Sequence, residues 1–297
     1  MRIDISADYR NVDDAVAGAR RARDAGVRTM WIPQIEGLAP MIVLGIVARE
    51  VPDIGLGIGV AALPTTHPTL LAQEAITLSQ ISDGRFTLGI GLSHRPVVEQ
   101  NWGLPWHPPI RYMNEYLDVL LPLLEERRAS TRGTLVSAQW WIEAEAPPVA
   151  VILAALGPQM LRLAGRRAAG TLTWMVGVRT LAEHTVPTIR EAAGAAGRPE
   201  PVVTATYPVC VTTEVDAARE RAAKVYKLYG VLPSYRAMLE REGASGPEDL
   251  AVIGEAGFVR ERLAEIEAAG ATTVGIDLFG RRAEREATWE LIAELAS

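Results

Sequence analysis

Between Asp53 and His107 the chain sets two apolar, glycine-studded runs, Ile54–Ala62 and Arg85–Leu92, on either side of one helical pattern, Pro68–Ser82. Parallel strands cannot be joined by a tight turn; they need a crossover of a dozen or more residues, usually a helix. A strand–helix–strand unit of this kind commits the chain to a parallel α/β sheet. Polar residues gather where each apolar run stops: Thr65, Thr66 and His67 after the first, Ser93, His94 and Arg95 after the second. Parallel sheets bind ligands beyond the carboxyl ends of their strands, so chemistry is expected there.

The same unit repeats along the chain. Strands are expected at Arg2–Ser6, Val27–Ile32, Ile54–Val60, Thr87–Ile90, Val149–Ala155, Thr171–Trp174, Val202–Val211 and Thr273–Leu278. Helical patterns separate them. In the first, Asn11 stands at the cap position, Asp13 and Asp14 fall in the first turn, and Val12, Ala15, Val16, Ala19 and Ala22 form one stripe before Gly26. That order of cap, acidic start and glycine stop is a helix signature. Pro122 lies inside the helical pattern Arg111–Arg127, where a lost hydrogen bond costs ~3 kcal/mol or forces a bend. Thr131–Ile142 reads as an inserted hairpin, and Val215–Tyr229, Ser234–Glu242, Phe258–Ala268 and Arg282–Leu295 as helices. Eight strands alternating with helices predict a (β/α)8 TIM barrel with insertions, one domain over residues 1–297. The other candidate is an open, doubly wound sheet. No G-x-G-x-x-G opens the first strand–helix turn, and the glycines of Leu56–Val60 lie within a strand, which weighs against a dinucleotide-binding sheet.

Composition narrows the function. With 48% hydrophobic and 22% charged residues the chain is globular. A net charge of −6 argues against a nucleic-acid partner, which usually requires a basic face. Cys210 is the one cysteine, so no intrachain disulfide or cysteine metal site exists, which suits a reducing compartment. The charged start, MRIDISADYR, lacks the apolar core of a signal peptide. The longest uncharged apolar runs, such as Met41–Ala48, fall short of the ~20 residues that span a bilayer. The expectation is a soluble cytoplasmic protein with a small-molecule partner and no membrane contact.

Particular residues then stand out at the strand ends. Gly157, Pro158, Gln159 and Met160 begin a helix directly after a strand. Free N–H groups and the positive dipole end make such a start an anion site; a ligand-free tight turn is the alternative. Of the four histidines, His94 lies at a strand's carboxyl end, where it can bond a ligand or handle a proton near neutral pH. His67 fits a helix cap ahead of Pro68, His107 falls in an aromatic loop, and His184 reads as an exposed helical residue. Trp102, Leu104, Pro105 and Trp106 form an apolar cluster after the fourth strand; aromatic loops can wall a substrate pocket or simply pack on the barrel. Tyr9, after strand one, and Phe279, after strand eight, face the same rim with the same two readings. No histidine–carboxylate spacing fits a metal site.

The run LGIGV–AALPTTHPTLLAQEAITLSQISDGRFTLGIGLSH resembles the bacterial-luciferase-like oxidoreductases, and most closely their branch that uses the deazaflavin coenzyme F420. Ala155–Gly177, Glu115–Glu125 and Val252–Thr272 resemble the family's coenzyme-phosphate segment, fourth helix, and penultimate helix with last strand. The family fold is a TIM barrel with insertions. The resemblance implies a non-prolyl cis peptide at Gly59–Val60 in a bulge behind the deazaflavin ring, with Ala61 and Ala62 beside that ring. It implies that Leu92, Ser93 and His94 line the coenzyme site. It places the phosphate tail at Ala155, Leu156, Gly157, Pro158, Gln159 and Met160 and at Trp174, Met175, Val176 and Gly177. The chain departs from sugar-phosphate-oxidising relatives: Pro33 and Gln34 stand where those carry an acid and a histidine, and Val176 and Gly177 where they carry a lysine. Gln34 is the polar candidate left at that strand end, able to hydrogen-bond but not to act as a base. The implied activity is hydride transfer between F420 and a small substrate with a C=C or C=N bond, with His94 as the first proton-donor candidate. Two alternatives stay open: an FMN-dependent monooxygenase of the same family, and a non-catalytic barrel subunit or binding module. A homodimer is the expected assembly.

Overall fold

The computed structural model describes residues 1–296. In chain order it holds β1 (Ile3–Ser6), α1 (Val12–Asp24), β2 (Thr29–Ile32), α2 (Pro40–Glu50), β3 (Gly55–Ala62), α3 (Pro68–Ile81), β4 (Phe86–Gly91) and α4 (Pro109–Glu125). There follow β5 (Arg128–Arg132), β6 (Ser137–Trp141), β7 (Ala150–Ala154), α5 (Pro158–Arg167), β8 (Gly170–Trp174), α6 (Val178–Thr180) and α7 (Val186–Ala195). The last third holds β9 (Val202–Val211), α8 (Val215–Val225), α9 (Pro233–Glu242), β10 (Val252–Gly254), α10 (Ala256–Ala268), β11 (Thr273–Leu278) and α11 (Arg282–Ala296).

Eight of these strands pair in parallel in the order β1-β2-β3-β4-β7-β8-β9-β11, and β11 pairs back with β1. The sheet is therefore a closed TIM barrel, not an open sheet. All eight expected strands are members of the ring. The hairpin is antiparallel β5–β6, inserted between β4 and β7. One strand was not expected: β10 lies at the start of the stretch Val252–Thr272, whose resemblance implies only a helix and the last strand. Val209 of β9 pairs with Leu278 of β11 on one edge and with Val252 of β10 on the other. Thus β10 continues along the edge that β8 uses lower down. Three residues carry no periodicity from which to recognise such a strand.

The outer layer explains the apolar stripes. Ala15, Val16, Ala19 and Ala22 of α1 are buried, and Asn11 accepts the Asp14 N–H through its side chain at 2.8 Å. Pro122 is accommodated inside α4. The carbonyl it deprives of a helical partner, that of Asp118, accepts instead from the Thr131 hydroxyl of β5 at 3.1 Å.

The barrel interior explains the glycines. A Cβ on Gly57 would enter the Trp31 ring, and one on Gly55 would lie 2.8 Å from the Thr29 hydroxyl. On β4, a Cβ at Gly91 would stand 2.7 Å from a Val60 methyl. The buried Trp31 indole donates to Asp4 Oδ2 at 2.8 Å. Burial raises the Asp4 carboxyl to about 6 against that bond. Trp31 and Leu172 pack close to Gly59: a Cβ there would stand 3.3 Å from the Trp31 ring and 3.4 Å from a Leu172 methyl. No helix among the described residues is long and apolar enough to cross a membrane.

Candidate active site

The carboxyl end of β3 is irregular. Ile58 pairs with Leu88, but the next pair is Ala61 with Ile90, so β3 carries one residue more than β4. The extra length is a bulge at Gly59 and Val60, and the Gly59–Val60 peptide bond is cis. Val60 turns its side chain onto Gly89 and Gly91. Ala61 and Ala62 are buried, while Gly59 and Val60 remain partly open at the rim. The Ala62 N–H donates to Gln34 Oε1 at 2.9 Å, and the Ala62 carbonyl accepts from the Thr65 hydroxyl. Gln34 thereby holds the bulge in place.

At the next strand end, Leu92, Ser93 and His94 are half-buried. Ser93 adopts φ +61° and, two strands further on, Met175 adopts φ +50°. Left-handed backbone at residues other than glycine costs of order 1–3 kcal/mol and concentrates at functional sites. Burial lowers the His94 pKa below its usual value. His67 caps α3 as expected, its ring accepting the Thr69 N–H. The His107 ring lies 5.2 Å from that of Tyr112, whose hydroxyl donates to Leu63 O just past the bulge. Trp106 is half-buried and Trp102 stands exposed.

Beyond β7, Gly157 precedes α5 with no side chain capping the helix, and a Cβ on Gly157 would meet nothing within 4 Å. Pro158 and Gln159 are exposed, Leu156 and Met160 half-buried and Ala155 buried. This helix start is open. The start after β8 is not. There the Glu242 carboxylate accepts from the N–H groups of Arg179 (3.1 Å) and Thr180 (2.7 Å) and from the Thr180 hydroxyl (2.7 Å). A Cβ on Gly177 would coincide with that carboxyl group. Trp174 is half-buried; Met175, Val176 and Gly177 are buried. His184 corrects the sequence reading: it is buried, not exposed, because a π turn at Leu181–Thr185 rotates it inward to donate to Leu156 O at 3.0 Å.

Aromatic rings cross the mouth. Phe279 lies 5.5 Å from Tyr226, Tyr226 6.4 Å from Tyr229, Tyr229 4.8 Å from Tyr235, and Tyr235 5.8 Å from His94. Trp174 packs beside Tyr226 and Tyr229. His94 follows β4 and Phe279 follows β11, which are four places apart in the ring of eight and so face each other across it. Phe279 is consequently buried beneath Tyr226, whereas Tyr9 remains half-buried. Asp277, at the end of β11, accepts from the Tyr226 hydroxyl at 3.3 Å, and burial raises its carboxyl to about 6. Sequence reasoning missed the bridge, Asp277 and Glu242. A signal existed for the bridge, since three of the seven tyrosines fall between residues 226 and 235. Asp277 was visible as a lone charge in the buried run VGIDL.

The profile of a family described as luciferase-like monooxygenase matches residues 2–273. An uncharacterised protein of Mycobacterium tuberculosis is 29% identical over 250 residues, 79% of this chain and 72% of its own. A 5,10-methylenetetrahydromethanopterin reductase of Methanolobus tindarius is 29% identical over 231 residues, 76% of this chain and 69% of its own. Among solved structures, the coenzyme F420 dependent tetrahydromethanopterin reductase from Methanopyrus kandleri superposes with a TM-score of 0.82 at 24% identity, covering 99% of this chain and 97% of its own. The oxygenating constituent of 3,6-diketocamphane monooxygenase of Pseudomonas putida, in complex with FMN, gives 0.76 at 18% identity, covering 100% and 97%.

Proposed function

Because the chain belongs to the luciferase-like monooxygenase family, we propose that it is a coenzyme F420-dependent oxidoreductase acting on a small organic molecule with a C=C or C=N bond. The observation that carries this reading is one rim bearing both a bulge for a planar ring and an open helix start for a phosphate. The residues fit the coenzyme at these two places. Gly59 and Val60 remain partly open at the bulge, and Gly157 leaves room for an anion against the N–H groups of α5. The third expected place, Gly177, is filled by Glu242 and fits only once that carboxylate leaves. Similarity to the Methanolobus reductase, together with the likeness to the solved coenzyme F420 dependent tetrahydromethanopterin reductase from Methanopyrus kandleri, supports F420 over FMN.

The coenzyme, when bound, supplies a two-electron hydride carrier; the protein supplies position, dryness and a proton. Gln34 fixes the bulge through Ala62. Trp31 and Leu172 pack close to Gly59 and limit the space on that side of the bulge. Two groups on opposite sides of the mouth can hold the proton. Burial holds the His94 pKa below its usual value and raises the Asp277 carboxyl to about 6, so acidification favours the proton-donating form of either, cationic for His94 and neutral for Asp277. Trp102, Trp106, His107 and Tyr9 are the substrate-facing candidates around the remaining rim.

An exposed apolar strip, Ile35, Leu38, Ile42, Ile46 and Leu70, supports a homodimer built on α2 and α3. Titration of the purified chain with F420 and with FMN, read by fluorescence, tests the assignment. Tight F420 binding with weak FMN binding upholds it; the reverse favours the FMN-dependent monooxygenase, and binding of neither favours a non-catalytic barrel.

A further inference from the structure

Glu242 ends α9, and its carboxylate occupies the start of the helical stretch 178–195 that follows β8. The contact is complementary in both directions. The negative group sits on free N–H groups at one helix start, while the Arg179 guanidinium donates to Arg241 O at the closing turn of α9. Gly243, at φ +77°, turns the chain away immediately after. The carboxylate thus stands in for an anion at a seat otherwise shaped to receive one.

The segment held there is the one that spans the mouth. Tyr235 belongs to α9, and Tyr229 lies in the turn before it. Together with Tyr226 they close the gap between Phe279 and His94. We propose that Glu242 is an internal latch: a phosphate group arriving at the end of β8 takes over the N–H groups of Arg179 and Thr180, displaces the carboxylate, and frees α9 so that the aromatic bridge swings off the mouth. No bond is made or broken; one anion replaces another on the same donors. A phosphate carries more charge and more acceptor oxygens than a carboxylate, so it competes for those donors on favourable terms. This inference rests on the coenzyme reading for the identity of the phosphate, although the latch itself is a property of the free protein.

Hydrogen–deuterium exchange of the full chain tests it. Exchange across 226–242 is expected to rise by about tenfold or more in Glu242→Ala, the scale of losing charge-assisted hydrogen bonds. It is expected to rise in the wild type when inorganic phosphate replaces chloride at matched ionic strength. Glu242→Ala should also bind F420 several-fold more tightly, since an internal competitor is gone. Unchanged exchange at 226–242 in the variant overturns the latch. So does an unchanged wild type under saturating phosphate, a measurement that stands even where the variant folds poorly. Failure of both proteins to bind F420 or FMN defeats the coenzyme reading instead, and the phosphate-driven exchange then decides the latch alone.

Discussion

Val60 rests on Gly91: a Cβ on that glycine would stand 2.7 Å from a Val60 methyl and 3.3 Å from the Ala154 methyl. The glycine of β4 is therefore part of the bulge on β3. Gly91→Ala must push Val60 out of place, and overpacking of this kind costs about 1–3 kcal/mol. Chemical denaturation should show that loss, and F420 titration a parallel loss of affinity.

Gly157 provides the contrast. Its backbone lies at φ −77° and ψ 154°, which any residue adopts, and nothing stands near its missing side chain. Gly157→Ala should leave stability within about 0.5 kcal/mol of wild type. Coenzyme affinity should nevertheless fall by about tenfold, the worth of one charge-assisted hydrogen bond. A calorimetric titration beside a thermal melt separates the two effects.

Asp4 gives a signed dependence on pH. Its folded pKa of about 6 lies above its ordinary 3.8. The folded chain therefore binds the extra proton between those values, and the contribution to stability is whole below pH 3.8 and lost as pH rises through 6. Asp4→Asn keeps an acceptor for the Trp31 indole and has no proton to lose. Its stability should match wild type near pH 4 and exceed it at pH 7 by up to about 3 kcal/mol, as measured by denaturation at each pH.

Turnover should rise on acidification, because the Asp277 carboxyl, pushed up by burial, gains its proton at about 6, while His94, pushed down by burial, gains its own below the usual histidine value. If His94 delivers the proton, His94→Asn should lower kcat by about 10²–10⁴-fold and abolish the acidic limb, while Asp277→Asn preserves it. The reverse pattern in the pH–rate profiles would assign the role to Asp277.

Ile42 is 67% exposed and sits at the centre of the apolar strip on α2. Ile42→Glu should convert dimers to monomers in sedimentation velocity without lowering the melting temperature of the monomer. Monomeric wild-type protein would dismiss this face as the interface.

The barrel was legible because strands buried on both faces are unbroken apolar runs and the helices between them carry their own caps. Three-residue β10 offered no such pattern. At the rim, the bulge and the uncapped helix start at Gly157 were legible because each depends on residues adjacent in sequence. Glu242 was not: it reaches Thr180 across 62 residues, and nothing in the local run LEREG distinguishes a carboxylate that docks on a strand end from one in solvent. His184 misled for a related reason. Helical periodicity of 3.6 places it outside, and the π turn at Leu181–Thr185 rotates it in.

That turned histidine ties two parts of the rim together. His184 belongs to the helical stretch that begins at the Glu242-filled cradle, yet its ring grips the carbonyl of Leu156, one residue before the open cradle at Gly157. Should both helix starts hold a phosphate tail as proposed, this one hydrogen bond joins them, and filling of the vacant seat and release of the guarded one are expected to go together.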